Sequence, residues 1–402
     1  MSIHTINAFF LGLLFYGSIV YAQPNNFVTQ GLGTTTIPNL LPGCPSNHIT
    51  PLGTITSSDG TSWVVPAETN FQTGPYCFDL FNSCNGVTPA NLSVSNWSNA
   101  SIVEIDPEGE VITGFLFSDN YFELYINGVL IGVDPIPFTP FNSCIVKFRV
   151  STPYTIAVKL VDWEENLGIG SEINNGNNYH PGDGGFIAQF SDGTVTDSSW
   201  KAQTFYISPI QDLDSVIELP DGTHSTASAT TSPTCDTSCY AIHYQTPSDW
   251  MNPNFDEVGW PSAVVYSSAE VTNQAAFKNF ETTAWPDAQF IWTSNLILDN
   301  LVLARKTVGT TAVSDLENRN GLVVKNPFSD FIILFFQQDI FDLNIRLFDS
   351  NGAPKAHWPM VSGFSGETMN LVVPGNLPAG IYFLLIHDKN TQQYIKLIHL
   401  IS

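Results

Sequence analysis

Short runs of alternating apolar and polar residues, joined by turn-forming pairs, limit most strongly what this chain can fold into. The clearest example is the stretch YFELYINGVLIGV at residues 121–133. Asn127-Gly128 lies between its two runs, and Asn-Gly is a strong signal for a two-residue β-hairpin turn. The alternation predicts that Phe122, Leu124 and Ile126 share the buried face of the first strand. We therefore expect this hairpin to be an internal pair of a sheet.

The rest of the chain repeats this pattern of short strands and polar turns. Strands are predicted at residues 101–105 and 111–117, and several more follow the hairpin. Sustained helical periodicity is found nowhere, and only 12% of the residues are charged. This balance is typical of turn-rich extracellular β proteins. The sequence therefore predicts an all-β fold built from β-sandwiches.

The first 22 residues carry the features of a secretory signal peptide. An apolar run extends from Ala8 to Tyr21, and the small residue Ala22 precedes Gln23. The run is shorter than the roughly 20 residues that a transmembrane helix needs. We therefore expect residues 1–22 to be cleaved on export and the mature protein to have no transmembrane span.

Residues 323–402 form a second predicted unit, which follows a linker at 309–322. Asn351-Gly352 is a turn signal between two of its predicted strands. These strands indicate a small antiparallel sandwich of immunoglobulin-like size, and they are expected at residues 331–336, 342–348, 368–373, 380–386 and 394–400.

Ordered motifs in this second unit resemble the C-terminal sorting domain of the Bacteroidetes type IX secretion system. The motifs are Asn326-Pro327-Phe328, Leu347-Phe348-Asp349 with its Asn351-Gly352 turn, Leu377-Pro378-Ala379-Gly380-Ile381-Tyr382, and Tyr394 with Lys396-Leu397-Ile398. His399 and Ser402 depart slightly from the usual basic-apolar ending. The resemblance implies that the type IX machinery recognises residues 323–402 and then removes them. The cargo would be secreted, either released or attached to the outer-membrane surface.

Three motifs occur in order within residues 23–308. They are the hairpin, the segment SDWMNPNFDEVGWPSA and the apolar segment FIWTSNLILDNLVLARK. Together they resemble the galactose-binding-like jelly-roll domains of secreted carbohydrate-active proteins. The resemblance implies a jelly-roll β-sandwich for this region. The hairpin and the second motif are farther apart than in that family, so a long insertion is expected near residues 165–245.

Six cysteines all lie in the cargo region, and an even number in an exported chain favours disulfides. Six cysteines permit 15 connectivities. Closeness in sequence suggests Cys77–Cys84 and Cys235–Cys239, which leaves Cys44–Cys144. A metal site at Cys235, Cys239 and His243 is the alternative, but the surrounding residues are rich in turn formers.

The charge of the chain excludes one large class of partner. Asp and Glu total 37 against 13 for Lys and Arg, so the formal net charge is −24. A chain this acidic is repelled by phosphate backbones, and its sequence has no basic cluster to reverse that repulsion locally. We expect no binding to nucleic acid.

The candidate ligand site is an acidic, aromatic loop that follows a predicted strand. Loops on a rigid sheet are where binding groups accumulate, and sugars stack on aromatic rings beside polar side chains. We therefore expect exposed aromatic and polar side chains to bind a glycan here, namely Trp163, Glu164, Glu165, Tyr179, His180 and Trp250.

A structural calcium ion is a second expectation. Calcium takes carboxylate and carbonyl oxygens from loops. Oxygen donors cluster at one end of the predicted hairpin and after the strand that follows it, although their spacing is irregular; the expected ligands are Asp119, Asn120, Asp134 and Asp162. The alternative interpretation is solvated surface acidity.

Two classes of function follow from these observations. The first is non-catalytic carbohydrate binding or adhesion at the cell surface or after release. The second is a secreted glycan-active enzyme of unrecognised type, since glycosidases use paired carboxyl groups. No hydrolase, zinc-protease, phosphate-loop or dinucleotide motif is present, so no catalytic residue is predicted and binding is favoured.

Overall fold

The computed structural model describes residues 26–44, 48–169, 173–174, 177–178, 181–218, 223–230, 237–257, 259–272, 274–309, 321–324, 328, 331–375, 377–387 and 392–399. The predicted signal peptide and nearly all of the predicted linker lie outside these residues. No helix in the described ranges is long and apolar enough to cross a membrane.

The cargo region is built from short strands. In chain order they are β1 (Asn26–Gln30), β2 (Thr34–Ile37), β3 (Leu52–Thr56), β4 (Ser62–Val65), β5 (Phe78–Phe81), β6 (Ile102–Glu104), β7 (Glu110–Asp119), β8 (Tyr121–Ile126), β9 (Val129–Val133), β10 (Ser143–Val150), β11 (Tyr154–Val161), β12 (Ile173–Asn174), β13 (Asn177–Asn178), β14 (Gly185–Phe190), β15 (Lys201–Ile210), β16 (Ile217–Glu218), β17 (His224–Ser225), β18 (Tyr240–Tyr244), β19 (Val264–Tyr266), β20 (Phe290–Trp292) and β21 (Asp299–Val308). Three one-turn helices lie between β19 and β20: α1 (Ser268–Val271), α2 (Ala275–Lys278) and α3 (Glu281–Ala284).

Two large sheets form an all-β sandwich, as the sequence predicts. The first sheet has the strand order β1-β18-β15-β21-β11-β8-β9, and the second has the order β19-β20-β14-β7-β10-β5, with β6 beside β10. Their inner faces share one apolar core, in which the rings of Phe122 and Phe186 lie 6.2 Å apart across the two sheets. A small sheet of β2, β3 and β4 lies outside this pair, and we call it the covering sheet.

The hairpin forms as its alternation predicts. Phe122, Leu124 and Ile126 are completely buried, and Asn127 and Gly128 both have positive φ, as a two-residue hairpin turn requires. The expectation of an internal pair is half right. Strand β8 is internal, between β11 and β9, but β9 is the edge strand of the first sheet.

The region expected as an insertion contributes strands to the sandwich itself. Strand β15 lies between β18 and β21 in the first sheet, and β14 lies between β20 and β7 in the second. The sandwich therefore needs residues from 185 to 244, which the motif spacing alone does not reveal.

The C-terminal residues form a separate pair of sheets. The strands are β22 (Leu322–Val324), β23 (Phe331–Phe336), β24 (Ile340–Asp349), β25 (Pro354–Gly363), β26 (Thr368–Val372), β27 (Gly380–His387) and β28 (Gln392–His399). They pair in the orders β22-β23-β26 and β25-β24-β27-β28. Leu334, Ile345 and Leu384 are completely buried in an apolar core of their own, so this small sandwich is also confirmed.

The disulfides differ from the predicted pairing. Cys44 bonds to Cys84, and Cys77 bonds to Cys144. The pairings Cys77–Cys84 and Cys44–Cys144 are therefore wrong, because β10 pairs with β5 and brings Cys144 beside Cys77. Cys239 is also disulfide-bonded, and its predicted partner Cys235 lies outside the described residues.

Candidate functional site

A cavity of about 190 Å³ lies at one end of the cargo sandwich. Three strand ends meet there: β7 ends at Asp119, β11 ends just before Asp162, and β14 begins shortly after Asp183. Asp119 and Gly185 are directly paired across β7 and β14, which fixes how close these ends come. We call this the acidic cavity, and its carboxyl groups belong to Asp119, Asp162, Glu164 and Asp183.

Two hydrogen bonds from its backbone hold the acidic loop, residues 162–165, at this end of the sheet. The side-chain Oδ1 of Asn120 accepts a hydrogen bond from the backbone N–H of Trp163 at 2.5 Å. The N–H of Asp162 donates to the carbonyl oxygen of Asn300 at 3.0 Å, which extends the pairing of β11 with β21. The carboxyl groups at residues 162 and 164 are therefore carried on backbone that is fixed at the sheet end.

A histidine from a distant loop completes the wall of the cavity. His48 Nδ1 lies 3.0 Å from Glu165 Oε1, and the His48 ring packs edge-on against Phe138 at 5.3 Å. Glu165 itself is only 6% exposed. This pair connects the segment between β2 and β3 of the covering sheet to the acidic loop, and it places the His48 ring at the cavity.

One carboxyl group in the cavity has a changed acidity. Burial raises the pKa of Asp183 from 3.8 to about 7, because a buried carboxylate loses its hydration. At neutral pH this side chain is therefore a mixture of a neutral carboxylic acid and a carboxylate. It can donate a hydrogen bond in the first form and accept one in the second.

The cavity would be smaller if residue 182 carried a side chain. A Cβ atom placed on Gly182 would lie 3.3 Å from Glu164 Oε1. Phe138 and Phe141 add apolar surface to the wall. An apolar wall with a few fixed polar groups is typical of small-ligand sites, and the oxygens here are suited to accept hydrogen bonds from hydroxyl or amino groups.

Two predicted aromatic ligands are not available for stacking. Trp163 is completely buried, with its ring edge-to-face against Tyr121 at 6.2 Å. Trp250 is 3% exposed and packs edge-to-face against Tyr125 at 5.4 Å. The expectation that these tryptophans are exposed is wrong, because segments outside the first sheet cover its outer face. Tyr179 and His180 lie outside the described residues.

The structure brings together residues that the sequence assigned to two separate sites. Asp119, Asn120 and Asp162, predicted as calcium ligands, line the same cavity as Glu164, a predicted glycan ligand. Glu165 lies behind this wall, against His48. The hairpin start and the acidic loop therefore form one site.

Asp134 is the predicted calcium ligand that does not join the cavity. Its Oδ1 accepts hydrogen bonds from the backbone N–H of Ile136 at 2.9 Å and from Asn142 Nδ2 at 2.8 Å. Burial raises the pKa of Asp134 well above its usual range. Across the described ranges, no group of three or more His, Cys, Asp and Glu side chains is arranged to hold a metal ion. Asp134 therefore lies apart from the other three expected ligands, which line the acidic cavity.

Sequence reasoning missed two residues of the site. His48 stands alone in a polar loop, and nothing in its neighbourhood marks it. Asp183 lies in a glycine-rich turn that resembles many surface turns. Asp183 reaches the cavity because β14 pairs with β7, and His48 reaches it through its contact with Glu165. A single sequence displays neither relationship.

Comparison with known proteins gives no family for this chain. No family model and no curated protein matches it. Among solved structures, it is similar to PorZ, a surface component of the type IX secretion system of Porphyromonas gingivalis, at 15% identity over 27% of this chain and 15% of that one, with a TM-score of 0.16. Latent PorU of the same organism is 12% identical over 73% of this chain and 30% of that one, with a TM-score of 0.19. A Pleurotus ostreatus lectin in complex with GalNAc is 15% identical over 73% of each chain, with a TM-score of 0.16. At these scores the likenesses carry no argument about function.

Proposed function

We propose that this chain is an exported β-sandwich protein whose acidic cavity binds a carbohydrate without catalysing a reaction. The observation that carries the proposal is the convergence of four carboxyl side chains on one cavity at the end of a sheet pair. Carboxylate oxygens accept hydrogen bonds from sugar hydroxyls, and the rings of Phe138 and Phe141 offer apolar surface to a sugar ring.

The charge of the cavity limits which sugars it accepts. Among the residues that the structure describes around this cavity, none is Lys or Arg. A uronic acid or a sulfated sugar would be repelled by the carboxylates and would find no matching cation. The ligand we propose is therefore a neutral or amine-bearing glycan.

We propose that residues 323–402 direct export as a type IX sorting domain. The support comes from the ordered motifs in this region and from a small sandwich with its own core. Disulfides in the cargo region fit an oxidising compartment outside the cytoplasm. The mature cargo would then act at the outer-membrane surface or in the medium.

A glycan array tests the binding proposal. The protein is applied with calcium and with a chelator, which also tests the expected calcium dependence. We expect neutral or amine-bearing glycans to bind, and we expect Glu164→Gln and Gly182→Ala to reduce that binding several-fold. The glycine variant acts by size alone, since its new methyl group would crowd Glu164 Oε1.

Matched variants separate loss of the site from loss of the fold. Glu110→Gln changes an exposed glutamate at the opposite end of β7, and Gly43→Ala adds a methyl group in open space. Both should bind as the unaltered protein does. If all four variants bind equally well, the ligand lies elsewhere and the acidic cavity is not the site.

Catalysis on a glycan is the second candidate function, and the raised pKa of Asp183 is the observation that favours it. A carboxyl group with a pKa raised to about 7 beside other carboxyl groups is what a general acid requires. Incubating each bound glycan with the protein and measuring new reducing ends decides between the two. Turnover that Asp183→Asn abolishes without weakening binding would establish an enzyme. Intact glycans would leave binding as the function.

A further inference from the structure

A second cavity lies on the opposite side of the first sheet from the core. It measures about 200 Å³ and is enclosed between β4 of the covering sheet and the outer face of β11, β15, β18 and β21. We call it the Trp63 cavity after the tryptophan that it contacts. None of its lining residues belongs to the acidic cavity, so the two are separate spaces.

Trp63 is held in one orientation at this cavity. Its ring stacks on His243 with the centroids 4.7 Å apart and the planes at 21°. Its Nε1 donates a hydrogen bond to Ser57 Oγ at 3.1 Å. The Phe27 ring also packs against it, with the centroids 5.3 Å apart. The residue is half-buried and lines the cavity. A fixed, partly exposed indole offers an apolar surface to a sugar at little cost in side-chain entropy.

Polar groups with unused hydrogen-bonding capacity line the same cavity. Lys159 Nζ donates to the carbonyl oxygen of Glu68 at 3.0 Å and lies 3.3 Å from Glu123 Oε2. An ammonium group has three donors, so one remains for a ligand. Gln245 adds an exposed amide at the rim. These groups can donate to and accept from hydroxyl groups.

Within the described ranges, the lining of this cavity offers no unpaired positive charge, and the exposed side chain of Glu68 adds a carboxylate. Glu123 is completely buried and faces the Lys159 ammonium, so the positive charge of Lys159 is already matched. Burial lowers the pKa of His243 to about 3, so its imidazole is neutral at physiological pH. An anionic ligand would therefore find no uncompensated positive charge here.

We propose that the Trp63 cavity is a second carbohydrate site, which holds one neutral glycosyl residue against the Trp63 indole with its hydroxyl groups bonded to Lys159 and Gln245. The cavity is smaller than the roughly 300–1,000 Å³ of sites for drug-sized ligands, so it accommodates one ring of a longer chain. The inference shares only its ligand class with the proposed function. Two separate sites on one cargo would increase avidity for a polysaccharide.

Saturation-transfer NMR with maltose, cellobiose and lactose tests this site in the full chain. We expect at least one of these neutral disaccharides to bind at millimolar concentration. The acidic cavity is first weakened with Gly182→Ala, so that the remaining signal reports the Trp63 cavity. In that background Ser62→Arg places a long side chain at an exposed position on the cavity wall and should abolish the signal. Trp63→Phe keeps a ring on His243 but reduces the indole surface, and it should weaken binding roughly 5-fold or more, which corresponds to about 1 kcal/mol.

The controls separate this site from the acidic cavity. Thr35→Arg changes an exposed residue of the same covering sheet that does not line the cavity, and it should bind normally. Gly182→Ala alone should leave a signal that Trp63→Phe weakens, even if the acidic cavity binds nothing. The inference is overturned if none of the three disaccharides binds, or if binding in the Gly182→Ala background survives Ser62→Arg.

Discussion

Asn120 accepts a hydrogen bond from the backbone N–H of Trp163 through its side-chain Oδ1, at 2.5 Å. Asn120 is 4% exposed and Trp163 is completely buried. This bond joins the start of the hairpin to the acidic loop, two regions that the sequence presents as independent sites. The side chain of Trp163 packs in a buried apolar cluster with Tyr121.

Trp163→Ala should therefore destabilise the protein rather than only weaken binding. Removing a buried tryptophan costs about 3–5 kcal/mol through lost packing and the cavity left behind. Chemical denaturation measures this loss directly. Trp97→Ala is the matched control, because Trp97 is 36% exposed, and its loss should be clearly smaller. Equal losses in the two variants would contradict the placement of Trp163 in the core.

The strands could be predicted because alternating residues and turn formers mark each one within a short segment of sequence. In the C-terminal sandwich, β23 is found at the predicted bounds, and β24 and β27 extend one or two residues beyond theirs. Strands β22 and β25 are not among those predicted. Strand β25 contains Pro354 and Pro359, and prolines in a sequence usually indicate a turn. It lies at the edge of its sheet, where a strand tolerates proline.

The candidate site could be predicted only in part, because it depends on which distant segments pair. The acidic side chains at 119, 162 and 164 are marked by their position after strands. His48 reaches them across 117 residues through its contact with Glu165. The burial of Trp163 and Trp250 likewise depends on segments that fold over the outer face of the first sheet. Neither fact has a local signal in the sequence.

The hairpin turn gives a prediction about stability alone. Gly128 has a φ of 81°, a conformation that costs a residue with a Cβ about 1–2 kcal/mol. Gly128→Ala should lower the free energy of unfolding by about that amount and leave glycan binding unchanged. Gly43→Ala is the control, because its new methyl group meets nothing within 4 Å. A Gly128→Ala protein as stable as the control would contradict the positive φ of residue 128.

The disulfide connectivity can be read from peptides of the unreduced protein. We expect mass spectrometry to find Cys44 linked to Cys84 and Cys77 linked to Cys144, across separations of 40 and 67 residues. Loops of this size stabilise a fold by roughly 4 kcal/mol each in the chain-entropy account. Replacing both Cys77 and Cys144 with alanine should cost a comparable amount. Peptides that link Cys77 to Cys84 would contradict the strand pairing of β5 with β10.

The raised pKa of Asp183 predicts how stability depends on pH. As pH rises, the unfolded chain loses this proton near 3.8, and the folded chain keeps it until about 7. The folded state therefore binds more protons between these values, so this residue makes stability fall as pH rises through that window. Asp183→Asn should remove that fall, as measured by denaturation at several pH values. Asp249→Asn, at an exposed position, is the control, and an unchanged slope in Asp183→Asn would contradict the prediction.

Deleting residues 323–402 should separate export from folding. The cargo core and the C-terminal core share no residue, so the truncated cargo should keep its thermal stability and its glycan binding. Without the proposed sorting domain it should accumulate in the periplasm of a host that has the type IX system, as fractionation and immunoblotting would show. Ile345→Asp, which places a charge in the C-terminal core, should block export in the same way because a buried unpaired charge unfolds that sandwich. Met360→Ala, at a position that is 76% exposed, should be exported normally. Truncated cargo in the medium would mean that residues 323–402 do not carry the sorting signal.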